Sequence, residues 1–340
     1  MAARIDDVAR RAGVSTATVS RALRGLPSVA AATRTRVLQA AAELDYIASP
    51  SASSLASGHT RTIGLVTPSV SRWFHGHVIE GAERTLRAAG FDVLLHALML
   101  DASMSRASID PTVLRRRVDG VLVVGLPVSE EELAALEGLG VPLVFVGAGP
   151  PGHVRVHMDD VGAARMVVEE LVARGHRRIG QVQGTPTHSV PWSPAVERAQ
   201  GAEAGFAAAD TVIDRDDRPV EHGDFSVEGG RAAAARLLDR DPGLTAVYAH
   251  SDEMAFGVLA ELEDRGVRVP EDMSVVGIDG HDLGGLVGLA TMAQDASGQG
   301  AVGATLVLEM LAGAAVGPDV LYPVTWVPRR SVAPVRTAAG

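Results

Sequence analysis

Val8-Ala-Arg-Arg-Ala-Gly-Val-Ser-Thr-Ala-Thr-Val-Ser-Arg-Ala-Leu23 is the stretch on which the reading of this chain turns. Small Ala9 and Gly13 let two helices cross closely around a tight turn, which is what a helix-turn-helix requires. The first helix, about Ile5–Ala12, sets Ile5, Val8, Ala9 and Ala12 on one face. Gly13 breaks it, and Ser15 can cap a second helix at about Thr16–Arg24 that turns Val19 and Leu23 inward. Gly25 and Pro27 end that helix, and a third, about Thr33–Leu44, carries Val37, Leu38, Ala41 and Leu44 at the same period. The second helix then exposes Thr16, Ala17, Thr18, Ser20 and Arg21. Its N-terminal residues can reach base edges, Arg21 can bond a guanine, and Ser15 and Thr18 suit phosphate oxygens. A plain helical hairpin with a solvated arginine face fits the periodicity equally well.

Charge separates this segment from the rest. The 340 residues carry 31 basic and 41 acidic side chains, a formal net of −10 that on its face argues against a nucleic-acid partner. Residues 1–61, however, hold eight arginines against four acids, a net of +4, which leaves −14 for the remainder. A small basic unit joined to a large acidic one is the pattern of an appended nucleic-acid module. Every basic residue is arginine, and no cysteine occurs, which removes disulfides, thiolate zinc sites, iron–sulfur clusters and cysteine nucleophiles. No apolar run approaches the roughly 18–20 residues of a membrane span. No apolar stretch follows the charged start MAARIDDVARRAG, so a secretory signal is not expected and a cytoplasmic protein is.

Ala48-Ser-Pro-Ser-Ala-Ser-Ser-Leu-Ala-Ser-Gly58 is too poor in apolar surface to fold alone and reads as a linker. From Thr62 the pattern alternates strands with amphipathic helices. Expected strands are Ile63–Thr67, Val93–Ala97, Gly120–Val124, Leu143–Gly147, Ile179–Gln183, Ala246–His250 and Ser274–Asp279. Between them lie helices such as Gly76–Ala89, Gly162–Arg174, Gly230–Asp239 and Asp252–Asp264. Alternation of this kind implies parallel sheets covered by helices. It runs once to about Gly147 and restarts near Ile179, so two doubly wound lobes are expected, with ligand at the carboxyl ends of the strands.

IDDVARRAGVSTATVSRALRG, then TRTRVLQAAAELDY and, beyond the linker, TRTIGLV form an ordered set that closely resembles the LacI/GalR family of bacterial transcription regulators. The resemblance implies a helix-turn-helix headpiece over 1–47, a hinge over 48–60 and a body over 61–340. That body would have two periplasmic-binding-protein-like lobes, about 61–160 with 290–320 and about 161–289 with 321–340. Thr16, Ala17 and Arg21 take the family's base-reading positions, and Ser15, Thr18, Arg24 and Thr33 complete the expected DNA-contact set in the headpiece. The linker becomes a hinge helix that orders on DNA. In it Ala52 and Leu55 share a face, and Leu55 wedges between central base steps of the minor groove.

VDGVLVVG, DDVGAARMVVEELVARGHRRIG, GDFSVEGGRAAAARLL, SDEMAFGVLAELEDRGVRVPEDMSVVGIDG and TMAQD resemble the family's effector-binding core. By position, Arg198 matches its effector-binding arginine, Asp279 its hydroxyl-accepting aspartate and Phe225 its aromatic wall. Trp73 and Phe74 align with the first-lobe wall, and Trp192 sits in a Pro- and Ser-rich loop ahead of Arg198, placed to close a pocket. Ser251 stands where asparagine is usual. An arginine–carboxylate pair beside aromatic faces suits a sugar. Other departures are Arg4 and Ala30-Ala31-Ala32 where the family has Ser or Thr caps, each lost cap costing ~1 kcal/mol of helix stability. Ser51 and Ser53 replace bulkier or basic hinge residues, Gly147 replaces a common Asp or Arg, and LMLDASMSRASIDPTVLRRRVDG lacks the usual acidic helix pattern.

Enzyme readings find little support. No phosphate loop G-x-x-x-x-G-K-[ST] exists in a chain without lysine, and no G-x-S-x-G elbow occurs. His75-Gly-His77 and His157-Met-Asp-Asp160 have metal-ligand flavour but no matching third cluster, so neither a metal nor a cofactor is expected. The reading is a homodimeric repressor that binds a pseudo-palindromic double-stranded operator and answers to a small-molecule effector, a sugar first and a nucleoside or purine second. A solute-binding protein is the remaining alternative, and the basic headpiece argues against it. Arg21→Ala is expected to weaken specific operator binding much more than non-specific binding in a competition assay; equal losses would remove Arg21 from base readout. Leu55→Ala is expected to reduce the bend angle of the bound duplex, and an unchanged angle would refute the wedge.

Overall fold

The structure, a computed structural model, describes residues 3–23, 25–46, 58–98, 108–185, 190–210 and 213–335. Two compact units emerge, Met1–Thr62 with Arg116–Asp119, and Ile63–Arg115 with Gly120–Gly340. In the first, α1 (Ile5–Ala12), α2 (Thr16–Leu23) and α3 (Ala31–Glu43) enclose Val8, Val19, Ala22, Val29, Val37, Ala40 and Ala41. Gly13 ends α1 with φ 67°, the left-handed turn a helix-turn-helix needs. Arg4 supplies no capping acceptor, but Asp7 Oδ2 accepts from the Arg4 amide at 2.9 Å and so secures half of a capping box. Ala30 caps α3 with no side-chain bond, as expected, although α3 begins two residues before Thr33. Leu38, expected inside, is 49% exposed; Ala40 takes the inward position instead.

The second unit runs β1 (Thr62–Thr67), α4 (Trp73–Ala88), β2 (Asp92–Ala97), β3 (Gly120–Val124), α5 (Glu130–Glu137), β4 (Leu143–Val146) and β5 (Val154–Met158). It continues with α6 (Asp160–Ala173), β6 (Ile179–Gln183), α7 (Pro194–Ala207), β7 (Val220–His222), α8 (Val227–Arg240), β8 (Ala246–Ala249) and α9 (Asp252–Asp264). It ends with β9 (Ser274–Asp279), α10 (Gly284–Val287), β10 (Ala290–Gln294), α11 (Ala296–Leu311), β11 (Asp319–Tyr322) and β12 (Val324–Val327). Among the described residues these strands make two six-stranded sheets, ordered β11-β5-β4-β3-β1-β2 and β12-β10-β9-β8-β6-β7. Neighbours run parallel wherever registers are resolved, except β12, which pairs antiparallel with β10. The central strands β3 and β9 are buried throughout, as their apolar runs require when helices cover both faces.

The chain crosses between lobes at three points: Met158 to Asp160, Gln294 to Ala296, and Tyr322 to Val324. The family resemblance places residues 290–294 with the first lobe. They instead form β10, which pairs with β9 in the second sheet, and the crossing follows Gln294. Helix α11 then returns to the first lobe and packs on α4 at backbone distance. A methyl group on Gly81 would overlap the carbonyl of Ser297, and one on Gly300 the carbonyl of Val78. Gly300→Val is therefore expected to destabilise the body by about 1–3 kcal/mol or more. All three tryptophans (Trp73, Trp192 and Trp326) lie in the body, so denaturation followed by their fluorescence reads this unit alone. An unchanged midpoint would contradict the close crossing.

Candidate functional site

On the headpiece, Ser15, Thr16, Ala17 and Arg21 are exposed and Thr18 and Thr33 are half-buried. Thr18 N donates to Ser15 Oγ at 3.2 Å and the two hydroxyls lie 2.9 Å apart, so Ser15 caps α2. The outward face of α2 is thus Thr16, Ala17 and Arg21, and Arg21 has no acidic partner among the described residues. Arg34 Nη2 donates to Leu26 O at 2.6 Å and Arg11 pairs with Glu43 at 2.5 Å, bonds that fix the loop after α2 and tie α1 to α3. Arg24, Ala52 and Leu55 fall outside the described residues.

In the body the site grows from helix starts that follow strand ends. Asp159 caps α6 and sets Asp160 in its first turn; Ser193 caps α7, which begins with Pro194 and carries Glu197 and Arg198; Ser226 caps α8 just after Phe225. Arg198 is 4% exposed. Its Nε donates to Asp160 Oδ1 at 2.6 Å, its Nη1 donates to the carbonyl of His250, and its Nη2 lies 3.6 Å from Asp279 Oδ1. Gln294 Nε2 donates to the same Asp279 oxygen at 2.8 Å, and Gln299 Nε2 donates to Gln294 Oε1 at 2.7 Å. Asp279 itself sits at φ 138°, held from behind by Asp252, whose carboxylate accepts from the backbone of Gly280 and His281 and from Thr291 Oγ1.

Burial lowers a guanidinium's affinity for its proton, but Asp160 and Asp279 more than offset this and hold Arg198 above its ordinary value. Burial pushes the Asp279 carboxyl up to about 7, with Arg198 opposing it. It pushes Glu197 up to about 7, reinforced by Asp160, and keeps His250 neutral. Tyr248, 5.0 Å from His250 ring to ring, has a buried hydroxyl with no hydrogen bond among the described residues, and neither nitrogen of His250 has one.

Aromatic groups stand on both lobes. Phe74 covers the ends of β3 and β4, where a methyl group on Gly147 would overlap the ring; that glycine, at φ 81°, leaves the space Phe74 fills. Trp73 stacks on His281 at 5.6 Å and donates through Nε1 to Asp282 at 3.3 Å, joining first lobe to second. Phe225, at φ 59°, lies over Gly184 and its carbonyl accepts from Arg72 Nη1 at 2.9 Å. Trp192 is half-buried in the turn before α7. Ser251 is buried and caps α9 by accepting from Met254 N at 3.2 Å, so this hydroxyl has a structural duty at the helix start.

Family resemblance points to Arg198 and Asp279, which the fold brings together, and does not point to Asp160, Glu197, His250 and Gln294 around them. The available signal was the Asp159-Asp160 pair at a strand–helix junction. The metal reading of His157-Met-Asp-Asp160 fails because these side chains diverge. His157 Nε2 lies 2.6 Å from Asp319, Asp159 caps α6 and Asp160 meets Arg198. Among the described residues no group of three or more His, Asp or Glu is arranged to hold a metal, and no helix is long and apolar enough to cross a membrane.

A helix-turn-helix unit that exposes Thr16, Ala17 and Arg21, together with a two-lobed body that buries Arg198 against Asp160 and Asp279, defines a ligand-responsive DNA-binding regulator. Residues 4–49 match the description "Bacterial regulatory proteins, lacI family" and residues 168–332 match "Periplasmic binding protein-like domain". The chain belongs to the LacI family, and it is a transcriptional regulator rather than an enzyme. It is 34% identical to the transcriptional repressor CytR of Escherichia coli K12, over 93% of this chain and 92% of that one. It is also 34% identical to the regulator CelR of Thermobifida fusca, over 81% of each chain. Among solved structures it resembles the lac repressor dimer bound to operator and the anti-inducer ONPF, with a TM-score of 0.83 at 26% identity over 98% of this chain and 100% of that one. The CelR–cellobiose complex gives 0.70 at 29% identity, over 97% and 100%.

Arg198 is a poor residue to truncate as a test of ligand binding. Its removal leaves buried Asp160 and Asp279 without their cation, and Arg198→Ala is expected to cost about 3–5 kcal/mol of body stability. Glu197 gives a cleaner check. A carboxyl raised in the folded state contributes stability below its unfolded value that is lost as pH climbs through about 7. Relative to wild type, Glu197→Gln should therefore be more stable at pH 8 than at pH 5 in thermal melts. A pH-independent difference would contradict the assignment.

Proposed function

We propose that the chain is a homodimeric repressor that acts in the cytoplasm on a pseudo-palindromic operator, with one α2 helix per half-site, and is controlled by a sugar or nucleoside held between the lobes. Exposed Thr16, Ala17 and Arg21 supply base readout, while the remaining headpiece contacts position α2 on the phosphates. The observation that carries the ligand assignment is the buried Arg198 guanidinium set between Asp160 and Asp279 at the strand ends, with Trp73 and Phe74 on one lobe and Phe225 and Trp192 on the other. Such a seat offers directed acceptors to hydroxyl groups and flat apolar faces to a sugar ring or a base. A sugar is favoured by likeness to the CelR–cellobiose complex, and a nucleoside remains the second reading.

Ligand in the cleft changes the relative stability of two lobe arrangements, and the operator-bound state gains or loses by the difference. A coupling of about 1–3 kcal/mol, roughly 5–150-fold in operator affinity, is ordinary for such a device. The test is a thermal-shift screen of sugars, polyols and nucleosides on wild type and Asp279→Asn. A hit that stabilises wild type and not the variant is the expected outcome; equal stabilisation of both would place the ligand elsewhere.

A further inference from the structure

The chain enters the body through His59-Thr60-Arg61-Thr62, and one side chain holds that entry. Asp119 Oδ1 accepts from Thr60 N at 2.7 Å and from Thr60 Oγ1 at 3.0 Å, while its Oδ2 accepts from Arg61 N at 2.8 Å. The Asp119 amide donates to Thr62 O at 2.8 Å, and Thr60 Oγ1 in turn accepts from Thr62 N at 3.2 Å. Two consecutive backbone amides on one carboxylate are charge-assisted bonds, stronger than neutral ones. They hold Arg61 at φ 53°, in the left-handed region that an L side chain adopts only when its surroundings insist. Asp119 is itself fixed, because its side chain is 8% exposed and the next residue opens β3, an interior strand of the first sheet that is buried along its whole length.

We infer that Asp119 is a positioning residue for operator binding: it fixes the backbone at Thr60 and Arg61, the segment through which the DNA-binding arm is joined to β1. The inference rests on the reading of this chain as an operator-binding regulator. A dimer that must place two headpieces on half-sites of fixed spacing loses specific affinity when either arm starts from a loose origin, because the ordering is then completed on the DNA. Binding to phosphates alone makes no such demand on spacing. A loosened clasp therefore separates specific from non-specific binding.

The test uses the full-length protein and a duplex that wild type enriches from a random-sequence library, with a scrambled duplex of the same composition as control, at one salt concentration. Asp119→Ala should bind the enriched duplex roughly ten-fold more weakly or worse, and the scrambled duplex within about two-fold of wild type. Asp119→Asn keeps one carbonyl acceptor at the same place and should recover part of the loss, with the tryptophan-monitored unfolding midpoint of the body unmoved. Unchanged affinity for the enriched duplex, equal losses on both duplexes, or an Asn variant no better than Ala would overturn the inference. If Asp119→Ala destabilises the body, the Asn variant decides alone, by the same comparison. Failure of wild type to enrich any duplex would instead overturn the operator-binding reading, and the inference with it.

Discussion

A guanidinium taken out of water must be neutralised where it sits, and the body of this regulator is arranged around that demand at Arg198. The ordinary penalty for an unpaired buried charge is several kcal/mol, so the two aspartates and the His250 carbonyl are obligatory partners. Their positions in the chain give the pair its reach. Asp160 begins α6 at the first crossing between lobes. Asp279 ends β9 and is bonded to Gln294, the last residue of β10 before the second crossing. Gln299, on the helix that returns to the first lobe, completes the chain of donated hydrogen bonds. A ligand that contacts both Asp279 and Arg198 thus touches groups bonded directly to two of the three segments on which the lobes meet.

Caps explain how so many polar groups converge. Asp159, Ser193, Ser226, Ser251 and Asp295 each accept from the third amide of the helix they open. Four of these helices begin within about five residues of a strand's carboxyl end, the end where ligands of doubly wound sheets reside, and α7 follows β6 after a longer loop. Ser251 illustrates the economy of the arrangement. Its hydroxyl secures α9, which lets Asp252 accept from the Gly280 and His281 amides and fix the turn that follows Asp279.

Much of the architecture was legible because periodicity and burial agree. The strand runs Gly120–Val124 and Ser274–Asp279 have apolar interiors and are buried along their length, and α1 keeps its expected bounds. Elements that escaped are those in which local signals conflict. Helix α11 contains Gly298, Gly300 and Gly303, which lower helix propensity, yet Gly300 permits the close crossing with α4. Strands β7, β11 and β12 have three or four residues and stand at sheet edges, so they lack the length that makes a pattern readable. The site divides in the same way. Arg198 and Asp279 were reached through family resemblance, whereas Asp160 lies 38 residues from Arg198 in sequence, and only the fold brings them within bonding distance. The overall charge of −10 concealed a basic headpiece for a similar reason, since a sum over the chain erases the contrast between its parts.

In a ligand-responsive repressor, effector and operator act on the same conformational equilibrium. Linkage requires that each changes the affinity of the other by the same factor. Isothermal titration of the screened ligand into the free protein and into its operator complex measures this directly. Two dissociation constants that differ by roughly 5–150-fold are expected, matched by the ligand's effect on operator affinity. Equal constants for free and operator-bound protein would contradict the linkage.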